Sequence, residues 1–294
     1  MRIAYQGEAG AYSEAAAMKF HADATPLPCP AFDDVFQAVE AGRATCGVLP
    51  IENSIGGTIH RNYDLLLQHD ELKIVGEVEL PVVHCLAALP GTTLAQITQI
   101  YSHPQALAQC DRFLRSLSNI EIVATYDTAG SAKLIRDRQL KTTAAIASER
   151  AATIFELDVL KSSIQDFADN ITRFLIVTRP GAVADVMGTR EANKTTVVFT
   201  LPNVPGSLFR ALSVFALRDI DVTKVESRPI PGRPWEYLFY LDVAAGAHEL
   251  RAARALMHLA EFAPSSKTLG SYPSVLSAAP RTSTGAPSLE TAAQ

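Results

Sequence analysis

The chain has 294 residues, 48% of them hydrophobic and 19% charged, which is ample apolar material for one or two globular domains, or for three smaller units. Its formal net charge of −5 argues against nucleic acid and anionic membranes as partners, because their recognition needs clustered lysine and arginine. The chain does not open with a basic segment followed by an apolar one, and no apolar run reaches membrane length, so we expect a cytoplasmic protein.

From residue 1 to about 178 strand patterns alternate with helix patterns, which predicts a layered α/β unit. In chain order we expect a strand at 2–5, a helix at 14–20 capped by Ser13, a helix at 32–40, a strand at 46–51, a helix after Gly56-Gly57, strands at 72–79 and 82–88, a helix from Pro104 to about Leu117 and a strand at 171–177.

The remainder of the chain has a different organisation. Residues 181–194 have no sustained apolar period and contain two glycines, which indicates a linker. Beyond it we predict a ferredoxin-like α+β domain of order βαββαβ, with elements at 195–201, 206–218, 220–230, 235–243, 249–262 and 267–272. The tail at 277–294, rich in Ala, Pro, Ser, Thr and Gly, is predicted to be disordered.

The four cysteines give no sign of a metal site. They lie far apart, without a C-x-x-C motif or a histidine at ligand spacing. His84 and Cys85 are neighbours in a strand-like run, so their side chains are expected on opposite faces. We therefore expect reduced, buried thiols and no metal.

Polar turns follow or precede several predicted strands of the α/β unit. Ligands of open α/β sheets bind beyond the carboxyl ends of strands, where such turns would meet. Together they would form a cleft rich in hydroxyls, amides and helix N-termini, which suits a small anion with more than one carboxylate. The turns are Tyr5-Gln6-Gly7, Glu52-Asn53-Ser54, Ser102-His103 before Pro104-Gln105, and Tyr126-Asp127 before Thr128.

Each turn taken singly has an ordinary explanation. Gly7-x-x-Gly10 lacks the full dinucleotide fingerprint, and no acidic residue follows at ribose-binding distance, so no nicotinamide cofactor is predicted. Asn53-Ser54 is typical of any loop that tolerates positive φ, and His103 of any helix start. Thr172-Arg173-Phe174 is too short a pattern to indicate a function by itself.

The order of the motifs carries more information than any one of them. From residue 1 to about 178 the chain resembles the prephenate dehydratase family, through five ordered motifs: Ala4-Tyr5-Gln6-Gly7 with Gly10-Ala11-Tyr12-Ser13-Glu14, Leu49-Pro50-Ile51-Glu52-Asn53-Ser54, Ser102-His103-Pro104-Gln105-Ala106-Leu107, Asp127-Thr128-Ala129-Gly130, and Asn170-Ile171-Thr172-Arg173-Phe174. The C-terminal unit resembles an ACT domain, with Gly206-Ser207-Leu208-Phe209 and Glu226-Ser227-Arg228-Pro229 matching its effector motifs. The runs 60–67 and 216–220 resemble plant-type arogenate dehydratases and their bacterial relatives.

The resemblance implies a fold and an activity. The family's catalytic domain, here 1–180, is similar to a type-II periplasmic binding protein, with lobe one at about 1–79 plus 163–180 and lobe two at about 80–162. A linker (181–194) and an ACT domain (195–276) follow. The family is a carbon–oxygen lyase of phenylalanine biosynthesis that converts prephenate to phenylpyruvate by decarboxylative dehydration and needs no cofactor or metal.

The resemblance also implies the site residues. Thr172 matches the family's essential threonine, and the substrate contacts carried over are Asn53, Ser54, Gln105, Thr128 and Arg173. Adjacent side chains on a strand point in opposite directions, so Thr172 and Arg173 cannot both face a cleft unless the strand bends or ends there. Arg173 is therefore either a carboxylate ligand or a structural clamp.

For the ACT domain the resemblance implies regulation by phenylalanine. The effector would lie between the ACT domains of two subunits of a homodimer or homotetramer, against Gly206, Ser207, Leu208 and the strand Glu226, Ser227, Arg228, Pro229. Gly206 opens a helix whose backbone N–H groups can receive a carboxylate, and a side chain there would obstruct that approach. Many bacterial members carry alanine at the position of Ser207, which leaves the strength and sign of the response open.

Three alternatives stay open. An arogenate dehydratase would act on a substrate with an ammonium in place of the ketone, and would want an acceptor in the cleft. A non-catalytic amino-acid-binding protein on the same scaffold would be expected to carry a secretion signal and has no need of the Thr172 motif. An ACT regulator fused to a degenerate enzyme is disfavoured by the intact motifs.

Overall fold

The structure, a computed structural model, describes residues 1–230 and 232–274 of the chain. The predicted disordered tail and the last two residues of the predicted ACT domain lie outside the described residues. Within the described ranges there are three sheets, two in the α/β part and one in the C-terminal domain. This confirms the predicted fold class of a two-lobed α/β unit followed by an α+β domain. No helix in this part of the chain is long and apolar enough to cross a bilayer.

The strands of the α/β part are β1 (Arg2–Gln6), β2 (Thr25–Cys29), β3 (Cys46–Asn53), β4 (Gly57–Thr58), β5 (Lys73–Pro81), β6 (Cys85–Ala88), β7 (Gln99–Ser102), β8 (Glu121–Ala124), β9 (Thr143–Ala147), β10 (Asp158–Lys161) and β11 (Ile171–Thr178). Its helices are α1 (Tyr12–Phe20), α2 (Phe32–Glu40), α3 (His60–Gln68), α4 (Pro104–Gln109), α5 (Asp111–Arg115), α6 (Thr128–Arg138), α7 (Glu149–Ile154) and α8 (Val183–Met187). The C-terminal domain consists of β12 (Lys194–Thr200), α9 (Ser207–Ala216), β13 (Val222–Ile230), β14 (Arg233–Val243), α10 (Leu250–Phe262) and β15 (Ser265–Tyr272).

Lobe one is built on a mixed sheet of order β2-β1-β3-β11-β5, with β4 paired to β3. Strand β1 runs parallel to β2 and β3, whereas β11 returns from lobe two and lies antiparallel between β3 and β5. The inner strands are apolar on both faces because helices or the C-terminal domain cover each face, and Ile3, Val48 and Ile176 are fully buried.

Lobe two has a sheet of order β10-β6-β9-β7-β8, whose central strand β9 is buried at all five positions. The chain crosses between the lobes twice, once from β5 to β6 and once from β10 to β11. Strand β11 therefore belongs to lobe one although it follows lobe two in sequence. This topology places a cleft between the two sheets and brings residues far apart in sequence to its walls.

The C-terminal domain has the predicted βαββαβ order, with its sheet arranged β13-β14-β12-β15. Helices α9 and α10 cover one face, where Phe215 and Leu259 are fully buried. The other face packs on lobe one, and Tyr240 shares a core cluster with Tyr63. The Tyr240 hydroxyl donates a hydrogen bond to the Tyr63 carbonyl at 2.7 Å. The domain is thus docked on lobe one over a continuous apolar contact.

Some local predictions need correction. The helix predicted from Pro104 to about Leu117 is two short helices, because Cys110 leaves helical geometry at φ −117° and ψ 23°. Ser13 does not cap α1, which already begins at Tyr12 with Ala11 as its N-cap. The segment predicted as a linker contains α8, whose Val186 is buried in the lobe-one core.

Candidate active site

A cleft of about 520 Å³ lies between the two lobes. Each of the four polar turns named from the sequence contributes to its wall, through Gln6, Asn53, His103 and Asp127. Thr172 enters from lobe one at the start of β11, and its side chain is largely buried at 8% exposure. The strand topology thus brings together turns that are separated by more than a hundred positions in sequence.

Thr172 and Asn53 form the centre of the lobe-one wall. The register of β11 against β3 places these two residues directly opposite each other. The Asn53 side-chain N–H donates to the Thr172 hydroxyl oxygen at 3.0 Å. No acceptor for the Thr172 hydroxyl hydrogen is found among the described residues, so the hydroxyl can donate to a group in the cleft.

Asn53 is itself held rigidly. Its amide nitrogen also donates to the Asn170 side-chain oxygen at 2.7 Å, and its Oδ1 accepts from the backbone N–H groups of Ile55 at 3.1 Å and Gly56 at 2.7 Å. A buried amide with this many partners has one orientation, since any rotation would leave buried polar groups unpaired.

The network continues across the cleft to His84. Asn170 donates to Gln109 Oε1 at 2.9 Å, and His84 Nε2 lies 3.0 Å from the same oxygen. An amide oxygen only accepts, so His84 carries its proton on Nε2, and its Nδ1 faces the Tyr12 hydroxyl at 3.0 Å. Burial lowers the pKa of His84, although the Gln109 hydrogen bond opposes this effect, so the site favours the neutral imidazole.

The sequence analysis did not name Tyr12, His84, Gln109 or Asn170 as site residues. Asn170 lies in the same motif as Thr172, and Gln109 follows Gln105 by one helical turn, so a weak local signal existed for both. No local signal distinguishes His84 from a core histidine, because its role depends on partners supplied by both lobes.

On lobe two the N-terminus of α6 faces the cleft. Thr128 is its first residue and lines the cleft, and the Asp127 carboxylate caps the helix by accepting from the Ala129 backbone N–H at 3.0 Å. The second Asp127 oxygen accepts from the backbone N–H of Glu8 at 3.1 Å, which ties α6 to the loop after β1. The partial positive charge at this end of an 11-residue helix favours an anionic group in the cleft. Gln105 also lines this wall.

An ion pair lies at the lobe-one edge of the cleft. Arg61 Nη2 is 2.5 Å from Asp33 Oδ2, and both residues line the cleft. Their side chains are 57% and 37% exposed, so a ligand can reach both. Among the lining residues of the described chain, Arg61 brings the one permanently cationic side chain. The sequence analysis did not identify either residue.

Two predicted substrate contacts do not line the cleft. Arg173 points to the opposite side of β11 from Thr172, as strand alternation requires, and its guanidinium lies 2.5 Å from Asp242 of the C-terminal domain. The prediction of Arg173 as a substrate ligand is therefore wrong for this geometry, and the clamp alternative fits. Ser54 donates to the Asp169 carbonyl at 2.6 Å and accepts from the Ile171 N–H at 2.9 Å, which fastens the loop before β11.

The predicted effector residues at the start of α9 border a small hollow of about 140 Å³, which Ser207 and Leu208 line with Trp235. Gly206 has φ +80°, a conformation that favours glycine. A Cβ on Gly206 would meet no atom of this chain within 4 Å, so the backbone conformation alone favours glycine here, and obstruction of an approaching effector stays a prediction. The Ser207 hydroxyl is buried and has no hydrogen-bond partner among the described residues.

The second predicted effector motif, on β13, is divided between two faces. Glu226 accepts from the Thr58 hydroxyl at 2.7 Å, and Arg228 pairs with Asp64 at 2.9 Å, so both face lobe one. Ser227 and Pro229 are exposed on the other face. Within one chain, none of these four residues lines the hollow at α9.

Comparisons with known proteins agree on both units. The model of the prephenate dehydratase family matches residues 3–182, and the ACT domain model matches residues 195–260. Arogenate dehydratase/prephenate dehydratase 2 from Arabidopsis thaliana, a chloroplastic protein, is 49% identical over 93% of this chain and 73% of its own length.

Two solved structures superpose over most of the chain. Prephenate dehydratase from Arthrobacter aurescens in complex with L-Phe is 36% identical, with a TM-score of 0.83 over 92% of this chain and 89% of its own. GqqA, described as a novel type of quorum quenching acylase, is 35% identical, with a TM-score of 0.83 over 93% and 98%.

Proposed function

Because the chain belongs to the prephenate dehydratase family, we propose that its cleft, as the active site of a carbon–oxygen lyase, converts prephenate to phenylpyruvate. The observation that carries this proposal is the buried pair of Thr172 and Asn53. The pair places a threonine hydroxyl, held by a donor on its oxygen, at the wall of a cleft that both lobes line.

Because the ring becomes aromatic in the reaction, the protein needs only to position the substrate and to donate hydrogen bonds to it. The bond from the ring to its carboxylate breaks and releases CO2, the electron pair enters the ring, and the ring carbon–oxygen bond breaks as the ring becomes aromatic. The departing hydroxide takes up a proton that comes from solvent and leaves as water, so prephenate and one proton give phenylpyruvate, CO2 and water. Thr172 is too weak an acid to supply that proton alone, so its role is to donate a hydrogen bond to the departing oxygen. Asn53 donates to the threonine oxygen, which orients the hydroxyl and polarises its O–H bond towards the departing oxygen.

The two carboxylates of the substrate need separate binding groups in the cleft. Thr128 and the N–H groups at the start of α6 can bind one of them on lobe two, with Gln105 beside them. Arg61 on lobe one can bind the other through a bidentate pair. Closure of both lobes on a dianion would also exclude water from Thr172.

Arogenate is the second candidate substrate, because the cleft contains a carboxylate that an ammonium could use. Asp33 lines the cleft next to Arg61, and an amino acid's ammonium and carboxylate together match that pair. In the described part of the cleft no serine or cysteine is hydrogen-bonded to a histidine. We therefore do not extend the acylase activity named for GqqA to this chain.

Phenylalanine is the proposed effector. The buried, unpartnered Ser207 hydroxyl and the N-terminus of α9 offer donors for a carboxylate beside an apolar wall that includes Trp235 and Phe239. The exposed half of β13 does not reach this hollow within one chain, which supports a site completed by a second subunit. The exposed apolar side chains of Phe209 and Trp235, 75% and 77% exposed, fit such a homodimeric contact.

A reducing compartment such as the cytoplasm is the proposed location. All four cysteines are free and buried. Burial raises the pKa of the Cys46, Cys85 and Cys110 thiols to about 12, so they remain protonated and unreactive. Nothing in this arrangement needs an oxidising environment.

The test is product formation by the purified full-length chain on prephenate and on arogenate, separately and with added phenylalanine. We expect phenylpyruvate from prephenate, a measurable rate of phenylalanine formation from arogenate, and a phenylalanine-dependent change in rate. Absence of turnover on both substrates would overturn the proposed function. A rate that does not change when phenylalanine is added would overturn only the proposed effector.

A further inference from the structure

A buried cluster of charges joins β11 to the ACT domain directly behind Thr172. The Arg173 guanidinium lies 2.5 Å from Asp242 Oδ2, and its Nε is 3.3 Å from Glu77 Oε2. The Nε–H is not aligned for a hydrogen bond to Glu77, so this second contact is an ion pair without one. The side chains of Arg173, Asp242 and Glu77 are 12%, 2% and 0% exposed.

Each acidic partner is fixed by a further bond. Asp242 Oδ1 accepts from the Thr196 hydroxyl at 2.6 Å, and Glu77 accepts from Lys194 Nζ at 2.9 and 3.1 Å. The cations of Arg173 and Lys194 thus each face a buried carboxylate of Asp242 or Glu77. Burial alone would lower the pKa of Arg173, but the charges of Asp242 and Glu77 outweigh it and raise that pKa, so the guanidinium stays charged.

The cluster and the proposed catalytic pair lie on opposite faces of the same two strands. Thr172 pairs with Asn53, and Arg173 pairs with Glu52, in one antiparallel register between β11 and β3. The first pair faces the cleft and the second faces the ACT domain, where Lys224 Nζ lies 3.0 Å from Glu52. The register shifts immediately after Arg173, so regular pairing alone does not fix this stretch.

We propose that Arg173 is a positioning residue, through which Asp242 of the docked ACT domain holds Thr172 and Asn53 in the geometry that dehydration needs. The inference rests on the proposed dehydratase function. Small displacements of a group that acts on the reacting atoms reduce turnover sharply, whereas substrate binding depends mainly on other parts of the cleft. Loss of the clamp therefore lowers kcat and leaves KM nearly unchanged.

The decisive variant is Asp242→Asn in the full-length chain. It keeps the shape and an oxygen for Thr196 but removes the nearest negative charge that Arg173 faces, while Glu77 remains. We expect kcat on prephenate to fall by about tenfold or more, with KM within about twofold of wild type. The matched control is Lys267→Gln, which removes another ion pair between the ACT domain and lobe one, to Asp70 at 2.8 Å, without touching β3 or β11. Its kcat should equal that of wild type.

A second series guards against simple loss of folding. Arg173→Lys keeps the charge and Arg173→Met does not, so kcat per folded molecule should decrease in the order wild type, lysine, methionine. Thermal unfolding of every variant gives the folded fraction. The inference is overturned if Asp242→Asn has the kcat of the unmodified chain, or loses no more activity than its unfolded fraction explains. In that case turnover of prephenate by the unmodified chain still supports the proposed function. Absence of turnover by the wild type would instead reject that function.

Discussion

Among the described residues the Thr172 hydroxyl has one hydrogen-bond partner, the side-chain nitrogen of Asn53, and that nitrogen can only donate. Replacing the threonine by alanine removes the donor aimed into the cleft and leaves Asn53 held by Asn170. We expect Thr172→Ala to lower kcat by about 10²–10³-fold, the usual cost of losing one donor to developing charge. Thr172→Ser keeps the hydroxyl and should stay within about tenfold of wild type. Near wild-type turnover by the alanine variant, with phenylpyruvate as the readout, would remove Thr172 from the mechanism.

The Asp33 carboxylate should discriminate between the two candidate substrates. Arogenate carries an ammonium where prephenate carries a ketone, and only the ammonium gains from a facing carboxylate. The Asp33 side chain is 37% exposed, so solvent weakens the interaction, and we expect about 1 kcal/mol. Asp33→Asn should therefore lower kcat/KM for arogenate relative to prephenate by about fivefold. Prephenate serves as the internal control, and an unchanged ratio would show that Asp33 does not contact the ammonium.

Among the secondary-structure elements, those with a local signal were predictable from sequence. Helix α2 occupies Phe32–Glu40, the predicted span, and the C-terminal βαββαβ order is confirmed. Strand alternation likewise predicts that Thr172 and Arg173 diverge. Neither the face that meets the cleft nor the Asp242 partner follows from local pattern, because that contact joins residues 69 positions apart through domain docking. The break at Cys110 also had no local signal, since the apolar spacing continues across it.

The N-terminus of α6 lines the cleft and is also a point where the two lobes are joined. Asp127 caps the helix and also accepts from the Glu8 backbone N–H across the cleft, so Asp127→Ala leaves two backbone donors without their partner. We expect a loss of about 1–2 kcal/mol in the free energy of unfolding, measured by urea denaturation. Asp127→Asn keeps a side-chain oxygen and should lose less. Equal stability of the alanine variant and wild type would mean that water replaces the cap.

At the scale of the whole molecule, three units meet on the strand pair β3–β11. Lobe two reaches Asn53 through Gln109, whose Nε2 lies 3.4 Å from Asn53 Oδ1, and the ACT domain reaches Arg173 through Asp242. The proposed catalytic pair is therefore held by tertiary contacts from both neighbouring units. If the proposed effector changes the docking of the ACT domain, the change reaches Thr172 through one side chain, that of the neighbouring Arg173.

The docking itself depends on a close approach between β15 and β5. A Cβ on Gly270 would lie 2.1 Å from the Ile74 carbonyl oxygen, a backbone atom that cannot rotate away. Gly270→Ala should therefore push the ACT domain off lobe one, at a cost of about 1–3 kcal/mol in the free energy of unfolding. Because the Arg173–Asp242 pair crosses the same interface, kcat should fall with it. Gly181→Ala is the matched control, since a Cβ there meets no atom within 4 Å. If Gly270→Ala and Gly181→Ala have the same free energy of unfolding and the same kcat, β15 can shift without loss of stability. The contact between β15 and β5 then does not hold the ACT domain in place.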